Sequence, residues 1–185
     1  MRVVIAGILG GIAMYVWATV AHLSPLATIG VHIPPHPELT AAALKLELGD
    51  KGGVYIYSSA PMAMAGGTPA TGATPATATD GMLSYVPNGP AGLSPKQLIS
   101  EFVLELVESL LLALALALAA AGLGGRVGIS LVVGLIAGMA TNLSYWNWYG
   151  FGLDYTLANA FIELVKFLVA GVVIALMLRR KPKVA

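Results

Sequence analysis

The chain contains no cysteine. Disulfides, thiolate metal sites and thiol nucleophiles are therefore excluded. It is also short of charge. Only 10% of its 185 residues are Asp, Glu, Lys or Arg, where a soluble domain carries roughly 25%. With 57% hydrophobic residues and a mean hydropathy of +0.82, most of the surface must face something other than water. The few basic residues form no solvent-facing stripe, so the electrostatic footprint of a nucleic-acid binder is missing. There is no Gly-rich phosphate loop, no G-x-S-x-G elbow and no H-E-x2-H helix. No Glu-x2-His pair falls on a helix, which counts against a di-iron bundle site. No cofactor class is indicated.

What is present is long apolar runs. A helix needs about 20 mostly apolar residues to cross a hydrocarbon core, and four stretches qualify. The first spans residues 1–23, with its apolar run from Val3 to Leu23. That run exceeds the roughly 7–15 residues of a cleaved signal, so it reads as a retained span. The others are 98–123, 127–145 and 156–178, followed by a basic tail at 179–185. The expected fold is an all-α membrane protein, a four-transmembrane-helix bundle with a small α/β outer loop segment. Arg2, Arg126 and the basic tail would lie on one side, and the turn after the third span has no Lys or Arg. The positive-inside rule then puts both termini in the cytoplasm and residues 24–97 outside.

Within 24–97, Leu39 to Leu48 reads as a short amphipathic helix. Val54–Tyr57 and Met82–Val86 read as short strands able to pair. Residues 66–80 form a Gly/Pro/Ala/Thr tract without core-forming side chains, expected to be mobile. Ser94-Pro95-Lys96-Gln97 fits a capping box with proline at the first helical position, so the second helix starts before the membrane. His32 and His36, with Glu38, are candidate metal ligands, although Pro34 and Pro35 keep the two histidines off a single helix.

The spans hold a handful of polar residues, and these need an explanation. Glu101, Glu105 and Glu108 fall in one narrow arc of the second helix at ~100° per residue. Leu104 to Leu123 suffices to cross, which would leave Glu101 outside, Glu105 at the interface and Glu108 about one turn deep. On the fourth helix Glu163 and Lys166 are three positions apart and therefore neighbours. At ~10–15 Å depth, such charges cost several kcal/mol unless they pair or line a wet cavity. Lys166 can pair with Glu163 or reach Glu108 across the bundle, and one lysine leaves a surplus of acid. Asn159 and Asn142 sit toward the same end, so a polar pocket opening outward is expected. Gly7-x3-Gly11 and Gly134-x3-Gly138 are small-x3-small packing patterns, serving the bundle or a homodimer. Tyr145, Trp146, Trp148 and Tyr149 form an aromatic cluster that reads as an interfacial anchor.

Three stretches carry a resemblance: Gly10-Gly11-Ile12-Ala13-Met14-Tyr15-Val16-Trp17 with His22, Lys51-Gly52-Gly53-Val54-Tyr55-Ile56-Tyr57, and Tyr145-Trp146-Asn147-Trp148-Tyr149-Gly150-Phe151. They resemble signatures of a group of small bacterial four-span inner-membrane proteins that has no assigned activity. The resemblance implies four spans in a bacterial inner membrane and no chemistry. Two functions are then expected. The first is a non-enzymatic accessory or scaffold subunit of a larger membrane complex. The alternative is a small carrier or sensor that binds a cation, proton or ligand in the polar pocket. The expected partners are the lipid bilayer and other membrane subunits, or further copies of the chain.

Overall fold

In a computed structural model, residues 1–58, 80–89 and 92–179 are described. They are mostly helical with one two-stranded sheet. The chain divides into two compact units. One comprises Met1–Val31, Gly92–Trp146 and Phe151–Ala185, the other His32–Ala91 and Asn147–Gly150.

The first unit is built from long helices. α1 covers Arg2–His22, α3 Pro95–Leu118, α4 Leu123–Gly138 and α6 Leu153–Met177. A turn of π-helix, Met139–Leu143, joins α4 to α5, Ser144–Tyr149, so Leu123–Tyr149 runs without a break. α1, Leu123–Tyr149 and α6 are each long and apolar enough to cross a membrane. α3 carries its glutamates on a helix of the same length class and packs along α1.

Small residues let these helices close on one another. Gly7, Gly10 and Gly11 of α1 face Leu110, Ser109 and Leu106 of α3 in antiparallel order. A Cβ on Gly7 would stand 3.0 Å from the Leu110 Cα, and one on Gly11 the same distance from the Leu106 Cα. Backbone cannot yield as a side chain can, so this approach needs glycine. Gly134 and Gly138 of α4 meet α6 in the same way: a Cβ on either would stand 2.9 Å from a carbonyl oxygen, that of Leu164 or of Ala160. Both glycine pairs are thus occupied inside the chain. α6 is packed by α1 on one side and α4 on the other. The apolar core joins Ala6, Met14, Leu112, Leu116, Phe167, Ala170 and Ile174.

Arginines tie down one end of the helices. Arg2 donates from Nε to the Met177 carbonyl at 2.6 Å and from Nη2 to the Arg179 carbonyl at 2.5 Å. Arg126 donates from Nε to the Leu116 carbonyl and from Nη1 to the Leu178 carbonyl, both at 3.1 Å. These oxygens belong to the last turns of α3 and α6, where carbonyls lack intrahelical partners and the helix dipole is negative. This bracing gives a reason for two boundaries that differ from expectation. α3 ends at Leu118 rather than Leu123, with Ala119 extended. The next helix begins at Leu123 rather than Val127. The alanines at 119–121 are good helix formers, but the chain must turn there for Arg126 to reach back to Leu116.

At the opposite end α3 begins at Pro95 with a complete capping box. Ser94 Oγ accepts from the Gln97 amide, and Gln97 Oε1 accepts from the Ser94 amide at 3.0 Å. α5 stops at Gly150, whose φ of +72° is a conformation only glycine adopts cheaply.

In the second unit α2 covers Pro37–Leu48, and strands β1, Gly53–Ser58, and β2, Asp80–Tyr85, pair antiparallel with Tyr55 opposite Leu83. Tyr85 Oη donates to the Gly49 carbonyl at 3.0 Å, and its ring meets Tyr55 edge-on. α2 starts two residues before the expected Leu39 and has no buried residue. Of the tract expected to be mobile, 66–79 lie outside the described residues, while Asp80 pairs with Ser58 in the sheet.

Candidate functional site

The charged residues of α3 and α6 converge. Lys166 extends from a buried position on α6, with its side chain only 6% exposed. Its Nζ lies 3.0 Å from Glu163 Oε2, one turn earlier on α6, and 3.0 Å from Glu108 Oε2 on α3. The two pairings that the sequence left as alternatives are made at once. Both contacts are at ion-pair distance. Both acidic partners are partly open, with side chains 40% exposed at Glu108 and 34% at Glu163.

Glu105, three residues before Glu108 on α3, is 1% exposed, and neither carboxylate oxygen has a hydrogen-bond partner among the described residues. It lies on the face of α3 that continues through Ser109, Leu112 and Leu116, all buried. α1 passes beside it on glycine: a Cβ on Gly11 would stand 3.5 Å from the Glu105 carbonyl oxygen. Glu101, by contrast, is exposed. Two carboxylates therefore share one ammonium, and beside them Glu105 is buried with no hydrogen-bond partner among the described residues.

Two further residues expected beside the charges make bonds within their own helices. Asn142 Nδ2 donates to the Gly138 carbonyl at 3.0 Å, and Asn159 Nδ2 to the Tyr155 carbonyl at 2.9 Å, each one turn back. Asn142 lies within the π-helical turn and occupies a carbonyl at its start. His22 likewise bonds its own helix, through Nδ1 and the Ala18 carbonyl. An interaction absent from the sequence reading links α1 to α6 beside the cluster. Trp17 Nε1 donates to the Ile162 carbonyl at 3.0 Å. An indole inside an apolar run is the signal that was available, because its N–H needs a partner when buried.

Among the aromatic residues, Tyr145 packs on Phe151, and Phe151 on Tyr155, with centroids 5.5 Å apart in each case. These contacts bridge the turn between α5 and α6. Trp146 and Trp148 are 44% and 71% exposed, and Tyr149 is 38% exposed. In the second unit His36 Nδ1 lies 3.8 Å from Glu38 Oε1, both side chains exposed. Among the described residues no group of three His, Asp or Glu side chains is arranged to hold a metal ion, at His32 and His36 or at the acidic cluster.

No family model, curated protein or solved structure matches this chain. The site must be read from its own chemistry.

Proposed function

We propose that the chain is a non-enzymatic accessory or scaffold subunit of a larger complex in a bacterial inner membrane. The observation that carries this reading is the half-exposed charge at Glu108 and Glu163. Lys166 lies about 16 Å along α6 from Met177, whose carbonyl Arg2 caps. Glu108 lies about 15 Å along α3 from its last residue. If the arginines mark the membrane surface, both positions fall near the middle of a ~30 Å hydrocarbon core. A charge there costs about 2.5–3.5 kcal/mol even on the most lenient scale. Carboxylates open to lipid at that depth call for a covering protein surface.

In this reading α3 is a fourth span. Its support is the antiparallel contact with α1, in which Leu106 to Leu110 lie level with Gly11 to Gly7. The arginine end is cytoplasmic by the positive-inside rule, and residues 24–97 lie outside. The resemblance to the small four-span group of inner-membrane proteins belongs to the same proposal. A second reading, a small proton- or ligand-binding carrier or sensor, draws on the unpartnered Glu105 carboxylate.

Subunit composition after gentle extraction from the native membrane separates the two. Stoichiometric recovery with other membrane subunits, by native gel and mass spectrometry, is the expected result. Recovery of this chain alone would overturn the accessory reading and favour the carrier or sensor.

A further inference from the structure

Resting on the accessory reading, we infer that the α3/α6 face at Glu108 and Glu163 docks a partner's transmembrane helix that presents an arginine or lysine at mid-membrane depth. Three observations lead there. Two carboxylates meet one ammonium, which leaves an acid in excess. The Lys166 side chain is buried and already divided between those two acids, so it has nothing to spare. Glu105, three residues before Glu108 on α3, is buried with both oxygens unpartnered among the described residues, so the protein itself supplies no further cation there.

The position of the opening defines the partner. Glu108 and Glu163 come from neighbouring helices, meet at one ammonium, and keep 40% and 34% of their side chains exposed. A guanidinium or ammonium arriving there can engage both, at the low local dielectric where charge-assisted hydrogen bonds are strong. Its arrival matches the two carboxylates with two cations.

A second copy of this chain does not fit the same face. Arg2, Lys96 and Arg126 stand at the ends of the long helices, and the basic residue at mid-helix is Lys166, which is buried in its own cluster. Two copies meeting there would bring acid against acid, and like charges juxtaposed at an interface cost several kcal/mol. The glycine pairs that could serve a homodimer are taken by contacts within the chain.

The test uses the full chain in phosphatidylcholine liposomes with a synthetic polyleucine helix of about 23 residues. The peptide carries a single central Arg, Leu or Glu, and association is read by energy transfer between labels. The Arg peptide should associate at least about tenfold more tightly than the Leu peptide, equivalent to ~1.4 kcal/mol. The Glu peptide should bind no better than the Leu peptide. In the Glu108→Gln/Glu163→Gln double variant the Arg advantage should vanish. Equal binding of the Arg and Leu peptides to the wild-type chain overturns the proposal, and that comparison needs no variant to fold. An Arg advantage that persists in a folded double variant also overturns it. So does self-association of the chain that disappears in that variant, which would assign the face to a second copy. The two proposals fail separately. Copurifying subunits without Arg-peptide binding refute only the chemistry, and Arg-peptide binding by a chain that purifies alone refutes only the accessory reading.

Discussion

Replacing Lys166 with methionine removes the one cation of the cluster while nearly conserving volume and apolar stem. The expected loss of stability is electrostatic. Breaking a buried ion pair from one side costs about 3–5 kcal/mol in soluble proteins, because the remaining charge is left uncompensated. One feature reduces that figure here. Polar interactions within membranes average well below their soluble counterparts, since the unfolded chain in the membrane finds other partners. About 2–3 kcal/mol remains as the expected destabilisation. Equilibrium unfolding by SDS in mixed micelles measures it directly. The decisive comparison is Lys166→Met against Lys166→Met/Glu108→Gln/Glu163→Gln. If unpaired carboxylates cause the loss, the neutral triple variant should recover most of it. A Lys166→Met variant within about 0.5 kcal/mol of wild type, or a triple variant as unstable as the single one, would refute this account of the cluster.

Other perturbations address the framework that holds the cluster. Gly171→Ala should destabilise by about 1–3 kcal/mol, because a Cβ there collides with both the Cβ and Oγ of Ser130 on α4. Adding Ser130→Gly should restore much of that loss in the same unfolding assay. Arg126→Ala should free the Leu116 and Leu178 carbonyls, costing about 1.5–3 kcal/mol. Hydrogen exchange should then accelerate at the C-terminal turns of α3 and α6 and leave their midpoints protected. Ser94→Ala should remove the capping box of α3 and cost about 0.5–2 kcal/mol, read as faster exchange confined to the helix start at Pro95–Leu98.

Which residues were legible from sequence follows from how local their determinants are. The capping box at Ser94 and Gln97 could be read because its partners are three residues apart. The pairing of Lys166 with Glu163 needs only helical spacing. The full burial of Glu105 was less legible, because it depends on helices packed from elsewhere in the chain, α1 being more than 80 residues away in sequence. Composition shows that Asn142 and Asn159 are polar, but not that each amide donates to a carbonyl one turn back.

Apolar run length and the scarcity of charge were enough to establish, from sequence alone, helices capable of crossing a membrane, since that requirement is one of length and hydropathy. Spacing likewise established which ionisable residues share a helix face. Only tertiary structure decided that one lysine serves two helices and that the Glu105 carboxylate is buried without a hydrogen-bond partner among the described residues. Those outcomes depend on the register between α1, α3 and α6. That register is set by where glycine backbones allow close approach and where two arginines brace the helix ends. Such constraints act between residues distant in the chain, and no local pattern encodes them.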